Sequence, residues 1–89
     1  MVRRHYRFYG SVQGVGFRYR ARYAASLFGV SGWVRNCWDG SVEMEAQGDE
    51  ANLAHMLERI FAGAFIQVER MERDDLPLDE TERDFRTLD

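Results

Sequence analysis

The chain carries one cysteine, Cys37, so it cannot close a disulfide on itself, and this fits a reducing compartment. Its one proline, Pro77, sits where a strand cannot continue. No apolar run approaches the ~20 residues that a membrane span needs. Arg3 and Arg4 stand near the N-terminus with no apolar stretch behind them, so no signal peptide is expected. There is also no excess of positive charge. Twelve Lys and Arg against 15 Asp and Glu give a formal net charge of −3 and a pI of about 5.3. A sequence-independent nucleic-acid binder needs a basic face, which this balance does not supply, although it allows one local basic pocket for a small anion. No set of His, Cys, Asp and Glu has metal-ligand spacing, so no metal and no cofactor are expected. These absences predict a soluble, cytoplasmic protein without nucleic-acid or membrane partners. Nothing in the sequence demands more than a monomer.

What is present suits a folded domain. Of the 89 residues, 45% are hydrophobic and 13% aromatic, enough for one domain over 1–89. A domain of this size buries only roughly 60–65% of its unfolded surface, so the core is thin.

The stretch Gly10-Ser11-Val12-Gln13-Gly14-Val15-Gly16-Phe17-Arg18 organises the rest. A strand-like alternation precedes it and helical spacing follows it. A glycine turn between strand and helix leaves backbone N–H groups unpaired and aimed at one spot. The partial positive charge of a helix start makes that spot attractive to anions. Glycine lets a ligand approach without meeting a Cβ. Arg18, in the first helical turn, adds a planar fork of donors suited to phosphate. Turns of this kind are common and most bind nothing, so the motif alone assigns no function. It is not a Walker loop, because no Lys-Ser or Lys-Thr follows, and its spacing is not that of the dinucleotide fingerprint.

In chain order, residues 5–12 alternate, with Tyr6 and Phe8 on one side and Arg7 and Tyr9 on the other. From Phe17 the period becomes helical: Phe17, Ala21, Ala24, Ala25 and Phe28 share a face, and Gly29 ends it. Arg20 and Arg22 lie off that face and are expected to be solvated. Residues 30–36 read as a second strand with Trp33 as its large anchor. Asp39-Gly40 signals a hairpin, and residues 41–47 return with Val42, Met44 and Ala46 inward and Glu43, Glu45 and Gln47 on a wet face. Gly48 breaks this strand, and Asp49 is expected to cap a second helix through its carboxylate. That helix carries Leu53, Met56, Leu57, Ile60 and Phe61, and Gly63 closes it. Residues 65–73 read as a strand, 74–77 as a loop and 79–84 as irregular, and 85–88 can add a short fifth strand. Strand, helix, strand, strand, helix, strand is the ferredoxin-like order, an α+β sandwich of an antiparallel sheet with two helices on one face.

A helical crossover makes the first two strands parallel, so their C-terminal ends lie at one edge of the sheet. The glycine turn follows the first end and Asn36 marks the second. With the return strand between them the ends are ~10 Å apart. A loop curling over that gap brings a bound phosphate near the Asn36 carboxamide, which can hold a water in line with phosphorus. Phosphoryl transfer needs mainly positioning and charge stabilisation. No general acid is evident for a poor leaving group, so a carboxylate leaving group fits best.

Residues 10–18, with Gly32-Trp33-Val34-Arg35-Asn36 and Asp39-Gly40-Ser41-Val42-Glu43, closely resemble the acylphosphatases. The element order matches over nearly the whole chain, and the motifs cover its first half. The resemblance implies a main sheet ordered 4-1-3-2. It also implies hydrolysis of the carboxyl–phosphate bond of small acyl phosphates without metal or covalent intermediate. It identifies Arg18 as the catalytic arginine and Asn36 as the water-orienting asparagine. The phosphate loop becomes Gln13, Gly14, Val15, Gly16, Phe17 and Arg18, acting mainly through backbone N–H groups. Many members have Gly-Pro after the second helix where this chain has Gly63-Ala64.

Other readings compete with this one. A non-catalytic module holding an acyl or carbamoyl phosphate for a partner protein shares the fold, and related domains occur within larger hydrogenase-maturation proteins. A chain of 89 residues without an appended domain favours a free-standing enzyme. An RNA-recognition module needs aromatics on both central strands, and residues 41–47 offer none. His5 and His55 are expected at the surface, and Cys37 as a bystander. Trp33, Trp38, Tyr6 and Phe8 are expected in core and rim packing. No residue is assigned to the acyl group, which predicts low selectivity for it.

Overall fold

Alternation along the first strand puts Tyr6 and Phe8 on the face where the helices pack. There Phe8 meets Phe17 of the first helix at 4.9 Å between ring centroids. Around these rings the computed structural model, which describes residues 1–88, arranges seven elements. They are β1 (Val2–Ser11), α1 (Phe17–Phe28), β2 (Ser31–Asn36), β3 (Val42–Gly48), α2 (Glu50–Phe61), β4 (Gln67–Leu76) and β5 (Phe85–Leu88). The strands lie in the order β4-β1-β3-β2-β5. The expected 4-1-3-2 order is therefore present with the fifth strand added at the β2 edge. The sheet is mixed rather than wholly antiparallel, because β5 runs parallel to β2.

The apolar stripes behave as their spacing predicts. Phe17, Ala21, Ala24 and Ala25 of α1 are buried, as are Leu53, Met56 and Ile60 of α2. They close on Val34 of β2 and on Val42, Met44 and Ala46 of β3. Small alanines on α1 let the helix lie close to the sheet, while the larger residues of α2 fill the other half of the layer. Among the described residues no helix is long and apolar enough to cross a membrane.

Gly32 shows why the second strand begins as it does. Its φ is +138°, and a Cβ there would lie 1.9 Å from the Glu45 carbonyl oxygen of β3. Its N–H donates to the Asp84 carbonyl at 2.9 Å. Only a residue without a side chain lets β2 sit this close to β3 while holding the segment that leads into β5.

Several expectations are corrected. Trp33 is not a core anchor. It lies on the sheet face away from the helices, edge-on to His5 and beneath the Arg35 guanidinium, while Val34 supplies the buried contact. Trp38 packs in neither core nor rim but is fully exposed at the hairpin tip. Gly48 closes β3 instead of breaking it, paired with Val2. Asp49 takes the extended conformation before α2, but its carboxylate makes no capping hydrogen bond. Negative charge at that helix start comes from Glu50, which pairs with Arg4. Residues 74–76 belong to β4, because His5, Arg4 and Arg3 of β1 pair with Asp74, Asp75 and Leu76. Their charges read as a loop, but on an exposed edge strand such charges deter pairing with other chains.

The outer face of the sheet is also drier than alternation suggests. Glu43 and Gln47 are buried there, and Arg3 is only 6% exposed. The cover comes from the segment before β5. Gln47 exchanges hydrogen bonds with the Asp79 main chain at 2.8 and 3.0 Å, and Arg3 pairs with Glu45 at 2.7 Å and Glu82 at 3.4 Å.

Candidate active site

The β1–α1 loop and the end of β2 meet at one edge of the sheet, as the crossover requires. Gly14 and Gly16 both have positive φ, at +71° and +85°, and nothing lies within 4 Å of where a Cβ would stand on either. Gly16 is the residue before α1. No side chain caps the helix there, and no acidic residue occupies the first turn. The first intrahelical bond runs from Arg20 N–H to the Gly16 carbonyl at 3.0 Å. The N–H groups of Phe17, Arg18 and Tyr19 thus point out of the helix start towards the loop. The aligned peptide dipoles give that position positive character.

A cleft of about 420 Å³ opens there, lined by Gly14, Gly16, Arg18 and Asn36 among others. The structure therefore brings Arg18 and Asn36 to one cavity wall, although 18 positions separate them in sequence. Phe17 also lines this wall, although the residue is only 2% exposed and its ring packs against Phe8 in the core. Val15 packs partly against the core and does not line the cleft.

Gln13 has a part that its backbone position does not reveal. Its side-chain Nε2 donates to the carbonyls of Cys37 and Ser41, at 2.6 and 2.9 Å. The carboxamide thus ties the loop to both sides of the turn between β2 and β3, one residue past Asn36 and one before Val42. The hairpin is braced at its tip as well. The Asp39 carboxylate accepts from the Ser41 hydroxyl at 2.6 Å and the Ser41 N–H at 3.0 Å, and these bonds hold its pKa below the ordinary carboxylate value.

Beneath the hairpin, on the outer face, Glu43 gathers several partners. Arg35 donates Nε and Nη2 to Glu43 Oε1, both at 2.7 Å, and His5 Nε2 lies 2.6 Å from Oε2. Arg7 stands 3.6 Å away, and the Cys37 thiol 3.9 Å from Oε1. Burial raises the Glu43 pKa, but the hydrogen bonds from His5 and Arg35 outweigh it and leave the carboxyl titrating below its ordinary value. The group is a structural brace for β1, β2 and β3, with Cys37 at its margin. Asn36 stands between it and the cleft, since Asn36 also lines a smaller hollow of about 300 Å³ with Arg7, Arg35 and Trp38.

Four cleft residues lie outside the site expected from sequence: Val12, Tyr19, Arg22 and Thr87. Thr87 is on β5, whose place beside β2 no local pattern announces. Arg22 lies four positions after Arg18, the spacing that puts two side chains on one helix face, and that signal could have found it. Arg20, by contrast, turns away and donates Nε and Nη2 to the Arg59 carbonyl at 3.0 and 2.6 Å, linking α1 to α2.

The topology and the cleft define an α+β protein of ferredoxin-like class with an anion-receptive helix start at one end of its sheet. Comparison with known proteins narrows this. The acylphosphatase family model matches residues 4–87. An acylphosphatase of Bifidobacterium longum is 46% identical over 87 residues, which are 96% of this chain and 90% of that one. The crystal structure of acylphosphatase from Bacillus subtilis superposes with a TM-score of 0.89 at 32% identity, over 99% of both chains. An acylphosphatase from Coxiella burnetii gives 0.86 at 28% identity, over 98% of this chain and 92% of that one. The chain belongs to the acylphosphatase family of hydrolases.

Proposed function

We propose that the cleft hydrolyses small acyl phosphates by direct attack of water on phosphorus. The observation that carries this reading is the uncapped start of α1 opening into a cavity shared by Arg18 and Asn36. The phosphoryl oxygens sit among the main-chain N–H groups of the Gln13–Arg18 loop. The Arg18 guanidinium binds two of them and takes up charge as the transition state forms. The Asn36 carboxamide oxygen accepts a hydrogen bond from a water and holds it opposite the leaving oxygen. The water oxygen bonds to phosphorus as the phosphorus–oxygen bond to the acyl group breaks. Electrons of that bond leave with the carboxylate, and the protons of the water remain on the phosphate. An acyl phosphate dianion and water thus give one carboxylate and one dihydrogen phosphate.

No general acid is needed, because a carboxylate leaves without protonation. No nucleophilic side chain is needed either, because the attacking group is the water held by the Asn36 carboxamide. Main-chain donors and a guanidinium supply the electrostatic stabilisation without a metal. We further propose that the chain acts as a monomer in a reducing, cytoplasmic setting, in keeping with its one free cysteine, and that nucleic acid is not among its partners.

The test is phosphate release from benzoyl phosphate by the purified chain. We expect turnover that survives exhaustive treatment with a chelator. Tight binding of an acyl phosphate without its hydrolysis would instead favour a carrier module acting with a partner protein.

A further inference from the structure

The cleft is larger than a phosphate group requires, and its volume is that of a site for a small organic ligand. Beyond the loop its wall holds Arg22, one turn along α1 from Arg18, together with Val12 and Thr87 of β5. Arg22 is exposed and forms no ion pair among the described residues. A second hollow of about 360 Å³ also borders Arg22 and continues the surface towards Ser31, Arg83 and Asp84. The Asp84 carboxylate there is 3.8 Å from Arg86. Whatever is attached to a phosphate held at the helix start therefore leaves along a wall carrying a second guanidinium. An alkyl acyl group gains nothing from that cation, whereas one ending in a carboxylate gains a charge-assisted contact with it.

We propose that Arg22 selects the acyl group. The favoured substrates are then monoacyl phosphates of short dicarboxylic acids, whose free carboxylate pairs with Arg22 while the phosphoryl end occupies the loop. This rests on the acyl phosphate hydrolysis proposed above, and it replaces the low acyl selectivity expected from sequence with a defined preference for negative charge. Arg22 touches the far end of the substrate and not the reacting atoms, so it sets specificity and leaves the chemistry to other groups.

The test compares succinyl phosphate with butyryl phosphate, which match in chain length and differ in the terminal carboxylate. The quantity read is the ratio of their kcat/KM values in the wild type, in Arg22→Gln and in Arg22→Lys. Glutamine suits a helix interior, and position 22 is exposed, so the fold tolerates the change. The wild-type ratio should favour succinyl phosphate and shrink as salt rises, because the contact is partly exposed to solvent. Arg22→Gln should lower the ratio about fivefold, chiefly through KM for succinyl phosphate. Arg22→Lys should keep the greater part of it. A ratio equal in wild type and Arg22→Gln, or a wild-type ratio insensitive to salt, overturns the assignment while leaving the hydrolytic reading intact. Hydrolysis of neither substrate by the wild type overturns both. Should Arg22→Gln fail to fold by circular dichroism, the salt series and Arg22→Lys decide on the same criteria.

Discussion

Replacement of Arg18 by alanine is expected to lower kcat/KM for an acyl phosphate by about a thousandfold or more. The guanidinium stands in the first turn of α1, beside main-chain N–H groups that no side chain caps. Amides alone still attract the anion, but they are fixed dipoles and supply no full charge. The charge that spreads over the phosphoryl oxygens during transfer is what Arg18 meets, and cationic groups in that role are worth ~10³–10⁵ in rate. Both binding and turnover should fall, since the same fork contacts ground and transition states. Arg18→Lys should recover only part of the loss, because an ammonium keeps the charge but not the paired donor geometry. A folded Arg18→Ala protein with near-native turnover would remove the arginine from the mechanism.

For Asn36 the expected loss has a different shape. Asn36→Ala should reduce kcat about a hundredfold and leave KM nearly unchanged. The carboxamide carries no charge, so it adds little to the hold on a dianion. Its work is to fix the position of one water, and orientation of a nucleophile acts on the chemical step. The split between kcat and KM separates this role from a structural one, because a disturbed cleft would weaken phosphate binding as well. Steady-state kinetics with inorganic phosphate as competitive inhibitor provides the check. The inhibition constant for phosphate should stay close to wild type in Asn36→Ala and rise sharply in Arg18→Ala.

The shared sheet edge of Arg18 and Asn36 was legible in sequence for a physical reason, whereas the roles given to them come from the family resemblance. A strand–turn–helix with Gly14 and Gly16 fixes where the first strand ends, and the right-handed crossover fixes which sheet edge Asn36 shares. The helix faces were legible because burial on one side imposes a period, as Ala21, Ala24 and Ala25 show. What did not show were properties that depend on a distant segment. Alternation put Glu43 and Gln47 on the outer face correctly, but it could not report that residues 79–82 fold across that face and close it. It likewise said nothing of Trp33, which finds its partners His5 and Arg35 on the outer side. The acidic end of β4 looked like a loop because composition there reflects solvent exposure, while strand pairing is decided by β1. Arg22 read as a solvated residue and is exposed, but its place on the cleft wall did not show, because β5, which brings Thr87 to the same cleft, pairs with a strand 50 or more positions away in sequence. Gln13 was legible as part of the loop but not as the side chain that fastens it to the hairpin.

The most direct measurement is a crystal of the protein grown or soaked with inorganic phosphate. We expect the ion at the start of α1, accepting from main-chain N–H groups of residues 13–18 and from the Arg18 guanidinium. A water should bridge it to the Asn36 carboxamide. Phosphate bound elsewhere on the surface, or bound at the loop with the carboxamide turned out of reach of any such water, would contradict the mechanism.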